Sequence, residues 1–381
     1  MRIVLFNDNP AALFPFTHLK SPWEIDMGGL TLRKWVQAIL PDVEFIEQSG
    51  QWQESAGTLP YLVLNGRLLP SEKLEEELRS IIQADDARLS MAGEELAYGY
   101  VTEARASEKM AMPAEVTLLH GPWEIIKYLP QTLLLAAPHH AQYLAEVRPH
   151  VFAGKDVELP PTVVTRTDDG PIVIGSGTTF ESFIVLEGPA VIGEHCIIRD
   201  HACIKKSAIG NVCRIGGEVE WSVMGDYTNK QHYGYVGHSV VAPWVNLGAG
   251  TTTSDLKHTY GSVRVDRGAG KEETGMQFCG SFIGEGARTS VNTTLMTGTV
   301  LGVSAFVFGT ARGLVPSFTS ATAQGLIEVP LEVALRAWER AMARRGVAFT
   351  PHIRDSYTAA FERTAPLRGA YGVLRGAPLT L

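Results

Sequence analysis

The first 150 residues alternate short apolar runs with segments that have helical spacing. Arg2 to Phe6 and Tyr61 to Leu64 are apolar runs that end at Asn7-Asp8-Asn9-Pro10 and Asn65-Gly66, as buried strands that enter loops do. Between them, residues 31–40 carry leucine, tryptophan and valine at helical spacing, and a second amphipathic stretch follows Pro70. The order strand, helix, strand, helix predicts an α/β domain over residues 1–150 with a Rossmann-like sheet.

From about residue 157 the apolar positions recur every six residues, which suits neither a helix nor an alternating strand. The recurring side chains in the first block are Ile174, Phe180, Leu186, Ile192, Ile198 and Ile204. Most residues four positions later are small, and the pattern returns near Val241 and again from Ile283 to Val307. A coil with three six-residue sides per turn explains this period, because one bulky side chain per side fills the interior. The pattern predicts a parallel β-helix over residues 151–320.

Two segments interrupt the period, Glu218 to Tyr235 and Leu256 to Gln277, and we interpret both as excursions from the coil. A coil with a filled interior has no central pocket, so chemistry is expected on its loops or between neighbouring molecules. Residues 321–381 change to helical spacing, with an apolar stripe that begins after Pro330 and a second helical stretch from about His352. We predict a C-terminal helical segment there.

Charge and composition exclude some classes of partner. The 381 residues include 33 Lys and Arg against 41 Asp and Glu, a net charge of −8, which does not favour nucleic-acid binding. No apolar run reaches the length of about 18 residues that a membrane span needs, and no leader-like start is present, so we expect no membrane contact and a cytoplasmic location. The four cysteines show no CxxC spacing and are expected to be reduced core thiols.

Three segments of the coil resemble a known enzyme family. They are Gly216 to Glu218, Asn229 to Gly237 and Val245 to Thr251, and they resemble the acetyltransferase half of the bacterial bifunctional N-acetylglucosamine-1-phosphate uridyltransferase and glucosamine-1-phosphate acetyltransferase. The whole chain is similar to a paralogous family of sugar nucleotidyltransferases, through segments that include Phe14 to Thr17 and Gly28 to Arg33. The resemblance implies a left-handed β-helix, a homotrimer, acetyl-CoA as donor, and a sugar phosphate or nucleotide sugar as substrate.

The resemblance also implies roles for individual residues. His232 falls at the position of the catalytic base, and histidine suits this role because its charge changes near neutral pH. Tyr235 and Asn246 match positions that hold the sugar, while Ala249 and Asp255 match positions beside the acyl carrier. The lysine that would hold the sugar phosphate is replaced by a glutamate at position 220, and Lys230 is the candidate substitute.

The amino-terminal domain departs further from the family pattern. Residues 7–13 contain no glycine, whereas the family has a glycine-rich loop there that cradles a triphosphate. The strand-ending Gly-Asp that would hold Mg²⁺ is Asn65-Gly66-Arg67 here. Candidate phosphate ligands in this domain are Lys20, Arg33 and Arg67.

Three functions therefore stay open from the sequence. The first is acetyl transfer to an amino sugar at the coil, with His232 as general base. The second is sugar-1-phosphate nucleotidyl transfer in the amino-terminal domain, which would require Mg²⁺. The third is a non-catalytic trimeric binding or scaffold protein. The glycine-free loop counts against the second function, and Glu220 with Asp255 counts against the first.

Overall fold

The amino-terminal domain is a mixed sheet with helices against it. A computed structural model describes residues 1–54, 59–102 and 111–379. Its strands are β1 (Arg2–Asn7), β2 (Glu44–Ser49), β3 (Tyr61–Asn65), β4 (Arg88–Ala92), β5 (Glu95–Val101) and β6 (Met112–Pro113). They are ordered β2-β1-β3-β5-β4-β6, with β1 parallel to both β2 and β3. The helices are α1 (Leu32–Ile39), α2 (Glu72–Gln83), α3 (Trp123–Lys127) and α4 (Leu129–Ala141).

Local signals explain where these elements begin and end. The side chains of Thr31 and Ser71 accept hydrogen bonds from the third residue after them and cap α1 and α2. Strands β1 and β3 lie at the centre of the sheet and are buried on both faces, which is why each is a continuous apolar run in the sequence. The carboxyl ends of β1 and β3 therefore meet at one edge of the sheet.

The predicted parallel β-helix is confirmed, and its strands form three columns. One face contains Ala145–Arg148, Val151–Ala153, Ile172–Ile174, Ala190–Ile192, Ala208–Ile209, Val223–Met224, Val240–Val241, Phe282–Ile283, Val300–Leu301 and Leu314–Val315. A second face contains Thr179–Phe180, Ile197–Ile198, Arg214–Ile215, Asn229–Lys230, Arg288–Thr289, Phe306–Val307, Thr319–Thr322 and Gly325–Glu328. The third contains Val164–Arg166, Val185–Glu187, Cys203–Lys205, Glu218–Glu220, Tyr235–Gly237, Thr252–Thr253, Thr294–Leu295 and Thr310–Ala311.

The interior of the coil is filled as the six-residue period predicts. Ile174, Leu186, Ile192, Ile198 and Ile204 are each at most 1% exposed and belong to one apolar cluster that runs along the coil axis. All four cysteines are free thiols; Cys196 and Cys213 are buried in the interior of the coil, and Cys279 is buried in the apolar cluster shared with the amino-terminal domain. No helix in the described part of the chain combines the length and the apolar character needed to cross a membrane.

The first predicted excursion, Glu218 to Tyr235, is wrong. Residues in this segment form regular strands of the coil, in register with the turns before and after them. Cys203 pairs with Glu218, and Glu218 pairs with Tyr235, so these turns contain 15 and 17 residues. A strict six-residue period corresponds to 18 residues per turn. The corners are shorter here, so the apolar positions depart from that period although the coil continues.

The second predicted excursion is confirmed, and it joins the amino-terminal domain to the coil. Between residues 254 and 279 the chain leaves the coil and forms an antiparallel hairpin of Arg264–Asp266 with Lys271–Glu273. At its tip, the Arg267 guanidinium donates hydrogen bonds to the carbonyls of Ala11 and Ala12, in the loop after β1. The hairpin therefore fixes the amino-terminal domain against the coil.

The last part of the chain is helical, as predicted, and packs on the end of the coil. The helices are α5 (Leu331–Ala343), α6 (Pro351–Arg363) and α7 (Ala365–Ala370). Trp338 of α5 is buried, its indole N–H donates to Ser304 Oγ at 2.9 Å, and its ring packs against Tyr357 of α6. This contact covers the apolar end of the coil, as a solenoid requires.

Candidate functional site

His232 lies at an outer corner of the coil. The corner is formed by residues 231–234, which connect strand Asn229–Lys230 on the second face to strand Tyr235–Gly237 on the third. The His232 side chain is exposed, and Gln231 Nε2 lies 3.2 Å from its Nε2 atom. The imidazole is therefore available to a ligand that approaches the edge of the coil.

Lys230 lies inside the coil and holds this corner in place. Its side chain is buried, and its ammonium group donates to the carbonyls of Gly216 at 2.6 Å and His232 at 3.0 Å. Burial lowers the pKa of Lys230 to about 8. Both contacts are internal to the protein, so the ammonium cannot reach a sugar phosphate unless they break. The structure gives Lys230 the geometry of a support for the His232 turn.

Glycine is required at position 234 by close stacking on the next turn. Gly234 has φ of +126°, and a β-carbon there would lie 2.1 Å from the carbonyl oxygen of Thr251. The Gly250 N–H donates to the Tyr233 carbonyl at 3.0 Å, which joins the same two turns. Corner residues 231–234 are therefore held by the turn before them and by the turn after them.

The turn after the corner brings further predicted residues to the same edge. Asn246 stacks beneath Asn229, whose side-chain amide donates to Asn246 Oδ1 at 2.6 Å, and Asn246 is exposed. Ala249 lies in the corner of this turn, directly before Gly250, which bonds Tyr233, and the Ala249 carbonyl accepts from the N–H of Asn292. Two successive turns thus place His232, Asn246 and Ala249 along one edge of the coil.

Tyr235 and Asp255 belong to a hydrogen-bonded group that also contains His238. The Tyr235 hydroxyl and the Nδ1 atom of His238 each lie 2.7 Å from the same oxygen, Asp255 Oδ2. Although burial by itself would raise it, the hydrogen bonds from His238 and Tyr235 lower the pKa of Asp255. Burial and the bond to Asp255 raise the pKa of Tyr235. Asp255 is thereby fixed as a carboxylate acceptor.

His238 was not identified from the sequence. Its ring is stacked between Trp221, at 6.2 Å, and Phe278, at 5.3 Å between ring centroids. His238 and Asp255 are 17 residues apart in the sequence, which is the length of one turn in this part of the coil. That separation is the only signal in the sequence that could have indicated their contact. With Nδ1 held by the carboxylate, the second ring nitrogen of His238 is oriented for a further hydrogen bond.

Arg67, a predicted phosphate ligand, is instead enclosed at the carboxyl edge of the amino-terminal sheet. Its side chain is fully buried and forms two 3.0 Å bonds to Asp8 and one of 2.6 Å to Glu95. Burial alone would lower the pKa of Arg67, but these two carboxylates raise it. A third donor atom, Nη1, donates to the carbonyl of Leu119. The guanidinium is already satisfied by protein groups.

The contacts between Arg67 and Asp8 also determine whether this edge of the sheet can bind Mg²⁺. Asp8 follows β1 and would be the natural oxygen ligand, but both of its carboxylate oxygens accept from Arg67. Among the described residues, no group of three or more His, Cys, Asp or Glu side chains has an arrangement suited to a metal ion. The residues present at the carboxyl edge of the sheet therefore do not fit Mg²⁺.

Lys20 and Arg33 line a cleft of about 700 Å³ between the amino-terminal domain and the first face of the coil. The Arg33 guanidinium pairs with Glu47 and lies over the ring of Phe45. Asp26 also lines the cleft, and its carboxylate accepts hydrogen bonds from the N–H groups at positions 28 and 29. This cleft is a separate location from the corner at His232.

Residues 3–138 match a family model described as sugar nucleotidyl transferase. A bifunctional sugar-1-phosphate nucleotidylyltransferase/acetyltransferase of Sulfurisphaera tokodaii is 30% identical over 136 residues, which cover 35% of this chain and 33% of that protein. The bifunctional protein GlmU of a Cyanothece strain is 25% identical over 268 residues, 66% of this chain and 52% of that protein. The chain thus matches about a third to a half of the length of these two relatives.

One solved structure is similar to part of the chain. It is the UDP-N-acetylglucosamine acyltransferase of Francisella novicida, which is 18% identical, with coverage of 61% of this chain and 92% of that one. The TM-score is 0.36, too low for a conclusion about this protein.

Proposed function

We propose that the chain, which is similar over part of its length to the bifunctional sugar-1-phosphate nucleotidylyltransferase/acetyltransferases, is a transferase that acetylates an amino sugar at the edge of the coil. The donor in this proposal is acetyl-CoA, and the acceptor is a sugar phosphate or a nucleotide sugar. The observation that carries the proposal is the exposed imidazole of His232, on a corner that is fixed from inside by Lys230.

His232 acts as a general base in the proposed reaction. As the sugar amine attacks the thioester carbonyl, a C–N bond forms and the imidazole accepts a proton from the nitrogen. The tetrahedral intermediate then collapses with cleavage of the C–S bond, and the imidazolium returns the proton to the leaving thiolate. The products are an N-acetyl sugar and a free thiol, and the histidine is regenerated.

The neighbouring predicted residues position the two substrates. Asn246 is exposed on the second face and offers an amide to sugar hydroxyls. Tyr235 donates its proton to Asp255, so its phenolic oxygen acts toward the sugar as an acceptor. Ala249, in the corner of the next turn, offers a small side chain beside which the acyl carrier extends. Asp255 acts through Tyr235 in this arrangement and not as a direct ligand of the carrier.

In this proposal the protein is a cytoplasmic homotrimer, and a second copy of the chain closes the site. The support for this is the open edge itself, where the His232 side chain is exposed and the Tyr233 side chain is 67% exposed. A reaction that must exclude water needs a second wall at this edge. A second copy of the coil, placed against the corner, supplies that wall.

The test is an acetyl-transfer assay with acetyl-CoA and glucosamine 1-phosphate as probes, with thiol release followed by Ellman's reagent. His232→Ala should lower the turnover number by about 10²- to 10⁴-fold, the range for loss of a general base, while acetyl-CoA binding by calorimetry stays unchanged. His352→Ala is the matched control, because His352 is an exposed histidine on α6. Equal turnover in the His232 variant and the control would contradict the proposed role.

A second candidate function, sugar-1-phosphate nucleotidyl transfer, is favoured by one observation. The family model of sugar nucleotidyl transferases covers residues 3–138. Lys20 and Arg33 in the 700 Å³ cleft are its candidate phosphate ligands, whereas Arg67 is occupied by carboxylates. The test is pyrophosphate release from a nucleoside triphosphate and glucosamine 1-phosphate with added Mg²⁺. Release that Lys20→Met abolishes would establish this function, and absence of both activities would favour a binding or scaffold protein.

A further inference from the structure

A groove of about 310 Å³ runs between the second face of the coil and the C-terminal end of α5. Five arginines line it, and they come from two separate parts of the chain. Arg214 and Arg288 lie on strands of the coil, whereas the other three lie at the end of α5 or just after it, namely Arg340, Arg344 and Arg345. We call this surface the arginine groove.

The arginine groove contains no balancing negative charge. No aspartate or glutamate lines it, and in the ranges 1–54, 59–102 and 111–379 none of its five arginines forms an ion pair. Arginines elsewhere on the coil and helices do find such partners, as Arg199 does with Glu181 at 2.6 Å and Arg368 with Glu328 at 2.7 Å. The contrast is notable because the chain as a whole carries a net charge of −8.

The like charges of the groove are close enough to affect one another. Burial, and then the positive charges of Arg214 and Arg344, lower the pKa of Arg345. Arg288 is held rigidly, since its guanidinium donates to the carbonyl of Ala337 at 2.9 Å and lies over the ring of Phe306. Keeping these cations together in a concave surface opposes folding unless an anion neutralises them.

A helix C-terminus explains only part of this arrangement. Arg340 and Arg344 lie where the dipole of α5 favours positive charge, and that effect by itself would place cations at this helix end. It does not explain Arg214 and Arg288, which project from the coil into the same groove. Cations that converge from two separate elements are the arrangement expected of an anion-binding site.

We propose that the arginine groove binds the phosphate or pyrophosphate group of a ligand. Guanidinium groups match phosphate oxygens in pairs, which makes arginine suited to this recognition. The volume is in the range of small-molecule sites. Tyr227 and Trp244, stacked with 4.1 Å between their ring centroids, form an apolar wall of the groove beside the cations.

The groove opens toward the corner that carries His232. Gln231, whose side chain contacts the His232 ring, and Asn246 are both part of its lining. A phosphate held by the arginines therefore directs the group attached to it along the edge of the coil toward the imidazole. The proposed phosphate site does not depend on the proposed acetyl transfer, because phosphate binding needs neither acetyl-CoA nor the His232 base.

The experiment is calorimetric titration of the full chain with inorganic pyrophosphate at low ionic strength. Wild type should bind, and the double variant Arg214→Gln with Arg345→Gln should bind at least about a hundredfold more weakly, with about tenfold for each lost charge-assisted bond. Arg336→Gln is the matched control, since Arg336 is exposed on α5 and lies outside the groove. This control and His232→Ala should each remain within twofold of wild type.

The source of the phosphate group is identified by competition. Displacement of pyrophosphate by UDP or glucosamine 1-phosphate would assign the groove to the acceptor, and displacement by coenzyme A would assign it to the donor. If the double variant does not fold, as judged by circular dichroism, Arg344→Gln at an exposed position carries the test, with about a tenfold loss.

Three results would overturn the proposal. They are failure of wild type to bind pyrophosphate at millimolar concentration, equal binding by wild type and the folded groove variants, and an equal loss in Arg336→Gln. Loss of acetyl transfer in His232→Ala with intact pyrophosphate binding would support the groove independently of the reaction. Intact acetyl transfer without pyrophosphate binding would refute the phosphate site in the groove but would leave the proposed acetyl transfer in place.

Discussion

Lys230→Met tests whether the lysine is the internal support of the corner that carries His232. The ammonium group is surrounded by the coil interior and bonds the carbonyls of Gly216 and His232. Burial lowers the pKa of Lys230 from the ordinary value of 10.5 to about 8. At about 1.4 kcal/mol for each tenfold change in a proton equilibrium, this difference corresponds to about 3 kcal/mol.

The direction of the pH effect follows from proton counts. Between pH 8 and 10.5, the unfolded chain keeps the Lys230 proton while the folded chain has released it. Stability rises with pH wherever the unfolded state binds more protons, so wild type should gain about 3 kcal/mol relative to Lys230→Met across this window. The gain is complete above pH 10.5 and is lost as the pH falls through 8. Below pH 8 the difference between the two proteins should be constant.

The assay is urea unfolding followed by circular dichroism at several values from pH 7 to 10.5. Other groups titrate in the same range, but they are present in both proteins and cancel in the difference. Lys155→Met, at an exposed lysine on the coil, is the control and should follow wild type at every pH. A difference between wild type and Lys230→Met that does not change with pH would show that the ammonium group is solvated, and would refute the buried support.

Two further predictions concern residues that the structure encloses. Gly234→Ala should destabilise the protein by about 1–3 kcal/mol, because the new β-carbon would meet the Thr251 carbonyl, while Gly346→Ala, where the space is open, isolates the cost of positive φ alone. Arg67→Met should cost about 3–5 kcal/mol, since it leaves two carboxylates without their guanidinium, whereas Arg2→Met at an exposed ion pair should cost under about 1 kcal/mol. Urea unfolding measures all four variants, and equal losses within either pair would contradict the corresponding contact.

The coil could be predicted from the sequence because its interior imposes one requirement at a fixed interval. Ile192, Ile198 and Ile204 each fill one side of the same triangular cross-section and are at most 1% exposed. The prediction of an excursion over residues 218–235 was wrong for a related reason. Turns of 15 and 17 residues keep the strands in register, but they shift the apolar positions away from multiples of six. Strand pairing tolerates a shortened corner, whereas a count along the sequence does not.

The contacts of the candidate site depend on stacking and could not be predicted residue by residue. Asp255 contacts His238, which lies 17 residues before it in the chain. That separation predicts a contact only when the length of a turn is already known. Arg67 and Asp8 are 59 residues apart and meet because β1 and β3 are neighbours in the sheet. The sequence shows that a metal-binding aspartate is absent after β3. It does not show that the arginine in its place neutralises the aspartate after β1.

The C-terminal helices belong to the candidate site as well as covering the end of the coil. Trp338 anchors α5 through its bond to Ser304, and its ring lies against Trp244, which is a wall residue of the arginine groove. Arg288 joins the same two elements through the carbonyl of Ala337. The position of α5 therefore sets the width of the groove and the spacing of its cations. Because the loop after β1 lacks a glycine cradle, we place the proposed phosphate site at the coil edge with α5.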